Sequence, residues 1–546
     1  MKKKQKRITT KIFYLGMGLM ILALGVLLYI FAFNGVNKKS LPSIIESTEE
    51  IVAPIEQNQE VAPTQTTDQE QKAEQEAQTD NVAKPFVDLR EELIGITEDK
   101  RILLKMGFSV EDADLIIRDS EGNEKTEKVK GTGTYVFTDG VHGTFYTFEL
   151  KYKMNDQDFS ASVRRKFLDF DKLPELMTLY INTEDGRDPY YTRTSARQEH
   201  LFGLTIKDNN FKNATLNNNI PLKIRVRGNS SAYGPKKSYK LVFEEEQDML
   251  GLGQEYADKE WLLLGKSALQ TYLGFQIGKF AGMEWEPRVR FVNVMMNGDW
   301  KGLYILCESI KKHPKRVALD EDGFLIEGDG YWWKETGVVL ESDLLSDKIE
   351  FTFKYPKPAS KSDERFVTIE KRIQQIESSI ERAADEELAS LVDLDMFASW
   401  LLAHEIMGTS DGFGSNMFFY QKNFNKGTKL KMGPVWDFDT MFFEPMGGHS
   451  KFWALNSTYF PRLLEKPEFR SLYKKKYFDI VPSVEAAMKS ELEKLKDIPG
   501  LNESMKIDRY TRPVESPIDA ETTRLIWKLH DRIEHLSKAM EKMSVF

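Results

Sequence analysis

The chain runs to 546 residues, 41% apolar and 12% aromatic, which is ample for packed cores and longer than one core supports, so two or more domains are expected. Its net charge of −9 argues against a nucleic-acid binder, which shows a basic face. A single cysteine, Cys307, excludes an intrachain disulfide, and the seven histidines show no zinc-ligand spacing, since His404-Glu405 lacks the second histidine of H-E-x-x-H.

In chain order the first element is an apolar run. Residues 12–33 carry no charge and no proline, and as a helix they would measure about 33 Å, enough to cross a hydrocarbon core of about 30 Å. Lys2, Lys3, Lys4, Lys6, Arg7 and Lys11 precede the run, which predicts a cytoplasmic tail over 1–11 and extracytoplasmic domains beyond the membrane. A cleaved signal peptide fits less well, because the run is too long for one and Ala32-Phe33-Asn34 is a poor cleavage site. The expectation is a single-pass membrane protein anchored at its N-terminus. Residues 40–80 then hold ten acidic residues and one basic residue, Lys72, and such a segment buries too little apolar surface to fold. Residues 34–85 read as an acidic linker.

Between 86 and 170, alternating aromatic and β-branched residues sit between Gly and Asp-Gly breaks, as in GTGTYVFTDGVHGTFYTFELKYKM. This predicts a small all-β, sandwich-like domain. From 171 to 546 strands come first: ELMTLYINTEDG, PLKIRVRG, and a hairpin built from FVNVMM, Asn297-Gly298 and KGLYILCES. Helical periodicity takes over at 363–408 and returns at 518–543. The fold class expected is α+β, with two lobes.

The chemistry-bearing stretch is Ser410-Asp411-Gly412-Phe413-Gly414-Ser415-Asn416, directly after a helix. The strand MFFYQK, a glycine-containing turn and the strand KLKMGPVW follow and lead into Asp437-Phe438-Asp439. Phosphoryl transfer needs a carboxylate for the attacking hydroxyl and oxygen ligands that hold magnesium against the phosphates. Asp411, Asn416 five residues later, and Asp437 beyond a hairpin reproduce the order of those groups in protein kinases. A turn with self-bonding side chains is the ordinary alternative for the Asp and Asn, and a helix cap for Asp-Phe-Asp. Upstream, Arg227, Gly228 and Ser230 leave one strand, and Lys236, Lys237 and Lys240 open another. That arrangement suits a phosphate-covering turn with a strand lysine, or merely a basic hairpin edge. Glu308 ends the strand YILCES, either as a solvated terminus or as a nucleotide or metal contact.

These pieces together resemble the CotH family of spore-coat kinase-like proteins. The resemblance rests on RVRGNSSAYGPKKSYKLVF, KEWLLLGKSALQTYLGFQIGKFAGM, FVNVMMNGDWKGLYILCESI, SDGFGSNMFFYQ, MGPVWDFDTMF and PRLLEKPEFRSLY, covering roughly 175–480. It implies an atypical protein-kinase fold, ATP with Mg2+ or Mn2+, and phosphorylation of serine on partner coat or cell-envelope proteins. Asp411 matches the catalytic aspartate, and Asn416 and Asp437, with Asp439, match the metal side. Lys237 matches the ATP-pairing lysine with Lys240 as the alternative. Arg227, Gly228 and Ser230 fall in the phosphate-side loop, and Glu308 at the strand-end glutamate. One departure stands out: the family's helix after the W-x-L segment begins with an Asp and carries an Arg about five residues on, where this chain has Gly265 and Gln270. Two other readings follow, a kinase-fold scaffold of the envelope without activity, and transfer of AMP in place of phosphate.

Overall fold

The computed structural model describes residues 87–90 and 102–106 and most of 112–543. The tail, apolar run and acidic linker expected over 1–85, and within the candidate site Ser230 and Asp411, lie outside the described residues. Among the described residues no helix is long and apolar enough to cross a membrane.

The alternating stretch of the sequence forms two antiparallel sheets. One joins β1 (Val87–Arg90), β2 (Ile102–Met106) and β5 (Thr134–Phe137); the other has the order β4-β3-β6-β7, from β3 (Ala113–Arg118), β4 (Glu124–Val129), β6 (Phe145–Met154) and β7 (Gln157–Lys166). Phe137 of the first sheet lies 5.3 Å, ring to ring, from Phe148 of the second, edge to face, so aromatic packing joins them.

Beyond them β8 (Thr178–Asn182), β9 (His200–Lys207), β10 (Ile220–Arg227), β11 (Ser238–Gln247), β12 (Asp258–Leu264), helix α1 (Ala268–Ala281), β13 (Val289–Met296) and β14 (Asp299–Glu308) follow in sequence. The strands close into a barrel of order β10-β11-β12-β14-β13-β8-β9. Period-2 patterning divides it cleanly. Leu241, Trp261, Leu263, Val292, Val294 and Leu306 fill the inside, whereas Leu262, Leu264, Phe291, Leu303 and Ile305 face outward into a larger core shared with α1 and the helices that follow.

A second sheet, ordered β16-β17-β15-β18-β19, is built from β15 (Phe324–Asp329), β16 (Val339–Leu340), β17 (Glu350–Tyr355), β18 (Met417–Gln421) and β19 (Lys431–Met432). The helical stretch expected over 363–408 divides into α2 (Glu364–Glu381), α3 (Asp385–Leu391) and α4 (Leu394–Met407). The break before α4 has a local cause: the Asp393 carboxylate caps the new helix by accepting the Met396 N–H, while Val392 bridges to Leu430. α5 (Phe460–Glu465), α6 (Pro467–Lys494), α7 (Leu501–Ile507) and α8 (Pro517–Met543) complete the chain. It is a mixed α+β protein in which a β-barrel and a sheet-and-helix lobe meet along the outer face of β12, β13 and β14.

Candidate functional site

The hairpin read from the sequence brings the two candidate metal positions to one end. Phe419 pairs with Met432 and Tyr420 with Lys431, and the Gly433 N–H donates to the Phe418 carbonyl. Asn416, just before β18, therefore stands at the same end as Val435–Asp437, just after β19. Both Asn416 (φ 63°) and Asp437 (φ 64°) are in the left-handed region, where Asn and Asp are the tolerated non-glycine residues. Among the described residues only Ser267, Phe442 and Thr458 join them as non-glycines with positive φ, and Ser267 and Phe442 flank the same site. Strain concentrated in this way accompanies functional loops.

Asp411 itself lies outside the described residues, but its neighbours locate the loop. The Ser410 N–H donates to Thr440 Oγ1 at 3.2 Å, and the Phe442 N–H donates to the Met407 carbonyl. The end of α4 and the segment after Asp437-Phe438-Asp439 are thus tied to each other. Under the loop, His404 is completely buried, with its Nδ1 2.6 Å from Thr409 Oγ1. Its ring fills the space a Cβ on Gly412 would need, and burial alone pulls its pKa down to about 3, so the imidazole is neutral. Beside it burial pushes the Glu405 carboxyl up to about 7 against the opposing pull of Arg532.

The Asp-Phe-Asp segment lies against α1. Phe438 meets Phe275 edge to face at 5.0 Å and covers Gly274 so closely that an added Cβ would lie 2.4 Å from its ring. Gln270 Nε2 donates to the Phe438 carbonyl at 2.6 Å. Asp439, which is exposed, pairs with Lys266 at 3.1 Å just before α1. Preceding the segment, the Val435 N–H donates to Glu286, a carboxyl that full burial raises well above its usual range.

The three lysines of the Lys236–Lys240 stretch have separate fates. Lys236 is buried and pairs with Asp508, whose Oδ2 also accepts the Leu303 N–H; it fastens the end of α7 to the barrel. Lys237 donates to the Ala232 carbonyl within its own loop. Lys240 lies on the outward face of β11, directly across from Arg225, and pairs with Glu260 of β12 at 2.7 Å. Burial depresses its pKa, with Glu260 opposing and Arg225 and Lys311 reinforcing the shift. Lys240 in turn adds to the depression of the Lys357 pKa, which burial dominates. Gly228 leaves β10 with φ 103°, a conformation that glycine adopts without strain, and the Arg227 guanidinium sits 5.4 Å from the centre of the Trp436 ring.

Glu308 belongs elsewhere. It is fully buried, not a solvated strand end, and takes two bonds from the Arg288 side chain, at 3.0 and 2.6 Å, and one from its backbone N–H. Buried Arg316 stands 3.6 Å away. Both carboxylate oxygens are thus already engaged by arginine. The departure at Gly265 also has a spatial reason, since a Cβ there would lie 2.9 Å from the Lys237 carbonyl and 2.8 Å from Tyr304.

The sequence offers no site role for Glu260 or Glu286, and it marks Gln270 only as a departure and His404 only as half of an incomplete H-E-x-x-H. For Glu260 a signal existed: alternation in Glu260-Trp261-Leu262 puts it on the face opposite the buried Trp261, the face of Lys240. For the others, only long-range packing supplies the contact. The oxygen donors of Asn416, Asp437 and Asp439 are the hard ligands that Mg2+ or Mn2+ prefers. Among the described residues no group of three or more His, Cys, Asp or Glu side chains clusters as a metal site.

A search of curated proteins finds no match to this chain. The model of the CotH kinase protein family matches residues 224–512, from within β10 to just past α7 and over more than half of the sequence. The chain therefore belongs to the CotH kinase protein family.

Proposed function

We propose that this protein is a membrane-anchored kinase that transfers the γ-phosphate of ATP to serine on partner coat or cell-envelope proteins. The observation that carries the reading is the hydrogen bond from the Ser410 N–H to Thr440 Oγ1, which ties the end of α4 to the segment after Asp437-Phe438-Asp439. In this reading the acceptor serine Oγ forms the new bond to Pγ as the bond from Pγ to the β,γ-bridging oxygen breaks, leaving ADP. Asp411 takes the serine proton. Lys240, held by Glu260, pairs with the phosphates, a role that suits it better than Lys237, which is occupied by its own loop. Arg227, Gly228 and Ser230 line the phosphate side. Asn416, Asp437 and Asp439 would hold Mg2+ or Mn2+, which neutralises phosphate charge when bound.

The full chain should be thermally stabilised by ATP plus Mg2+ or Mn2+, and a labelled partner should gain the mass of one phosphate. Asp437→Ala should lose metal-dependent nucleotide binding, whereas Asp411→Ala should keep binding and lose turnover by about three orders of magnitude. A gain of AMP mass would make the reaction an adenylylation. Absence of any nucleotide effect on the parent chain would leave an envelope scaffold.

A further inference from the structure

The last helix, α8, lies past the residues matched to the family, yet it reaches both chain segments that enter the candidate site. Its buried positions Ile518, Leu525, Leu529, Leu536 and Met540 join the main core. Two arginines of this helix reach those segments, one buried and one partly exposed. The fully buried Arg532 donates from Nε to the Glu405 carbonyl at 2.6 Å and from Nη2 to the Glu405 carboxylate at 2.8 Å, gripping α4 just before the loop of Asp411. About two turns earlier, Arg524 Nη2 approaches Gln270 Oε1 at 3.4 Å.

Gln270 is buried, and its amide can stand only one way round. The Phe438 carbonyl accepts and cannot donate, so it needs the NH2 end; the guanidinium donates and cannot accept, so it needs the oxygen. Arg524 is itself oriented by two bonds to Glu521, at 2.7 and 2.6 Å, one turn earlier in α8. The resulting relay runs from Glu521 through Arg524 and Gln270 to the carbonyl between Asp437 and Asp439.

We propose that α8 is a built-in brace of the site and that Arg524 is a positioning residue, which acts through Gln270 on the Phe438 carbonyl to hold Asp437 and Asp439 in place. The functional meaning rests on the phosphotransfer reading; the mechanical claim does not. Without the guanidinium, Gln270 Oε1 loses its donor and the amide its preferred orientation, which loosens the peptide it holds.

Amide hydrogen exchange on the full chain tests this. In Arg524→Ala, amides over 436–440 should exchange about fivefold faster, the factor that one net hydrogen bond is worth, with α4 and α6 unchanged. Arg524→Lys, which keeps a donor, should restore most of the protection. Adding Arg524→Ala to Gln270→Ala should change nothing further, because both act through one amide. In transfer assays Arg524→Ala should raise the metal concentration for half-maximal rate more than it lowers the maximal rate. Unchanged exchange over 436–440, or an equal rise throughout α4 and α6, overturns the proposal. A parent chain that binds no nucleotide defeats the phosphotransfer reading, while the exchange result still decides the brace.

Discussion

Two acid–base pairs on one barrel show how the same chemistry serves different ends. At the end of β14, Glu308 and Arg316 are both fully buried, with Arg288 sealing the cluster. On the outward face of β11 and β12, Lys240 and Glu260 keep 21% and 30% of their side-chain surface, with Arg225 beside the lysine. The first pair has every oxygen engaged inside a low-dielectric shell, where a lone charge is costly. The second retains access to solvent and has cationic neighbours. A carboxylate at a strand end thus says little by itself; the side of the strand it occupies decides whether it is sealed or open.

The comparison breaks most visibly at the closed pair. Glu308→Ala leaves Arg288 and Arg316 without their common anion and should destabilise the chain by about 3–5 kcal/mol. Denaturant unfolding checks this, and a loss below about 1 kcal/mol would mean that the cluster is not closed.

The next largest effect concerns another sealed region, His404 and Glu405 under the loop of Asp411. His404 has a folded pKa near 3 against its usual 6.5, so the unfolded chain takes that proton first and stability falls as pH drops from 6.5 to 3. Glu405, near 7 against 4.5, works the other way: the cost of its buried charge is relieved as pH falls from 7 to 4.5. The two oppose each other at mid-range, and the histidine acts alone below about 4.5. His404→Gln, which keeps a partner for Thr409, should show a smaller drop in melting temperature between pH 5 and 3.5 than the parent. Equal drops would show that the histidine is protonated in the folded state.

At the open pair the expected loss is in binding. Lys240→Met should leave unfolding stability within about 1 kcal/mol, as a partly exposed pair implies, while ATP–metal affinity falls about tenfold, the value of one charge-assisted contact. If the stability loss matches that of Glu308→Ala, the two pairs are alike and Lys240 is structural.

Much of the architecture was present in local patterns. The hairpins at β13–β14 and β18–β19, the strands at Thr178–Asn182 and Ile220–Arg227 and the last helix followed from alternation, an Asn-Gly turn and helical periodicity, all of which depend on neighbours a few residues apart. The order Asp411, Asn416, Asp437 was likewise readable, because a loop, a hairpin and a second loop are consecutive in the chain. The division of one long helical stretch was only partly readable: the Asp393 cap of α4 is a local signal, whereas the bridge of Val392 to Leu430 beside it is not. Nor was the choice among Lys236, Lys237 and Lys240. Lys236 precedes β11 and meets Asp508 at the end of α7, whereas Lys240 within the strand meets Glu260 of β12, and both partners are brought there from elsewhere in the chain. Gln270, a departure in the sequence, acquires its part only when Phe438 arrives from 168 residues away and Arg524 from 254. By itself the sequence determined the elements and the candidate carboxylates, because those depend on short-range periodicity and spacing. Tertiary structure alone decided which charges are sealed and which stay open, because burial and pairing depend on what the rest of the chain brings against each side chain.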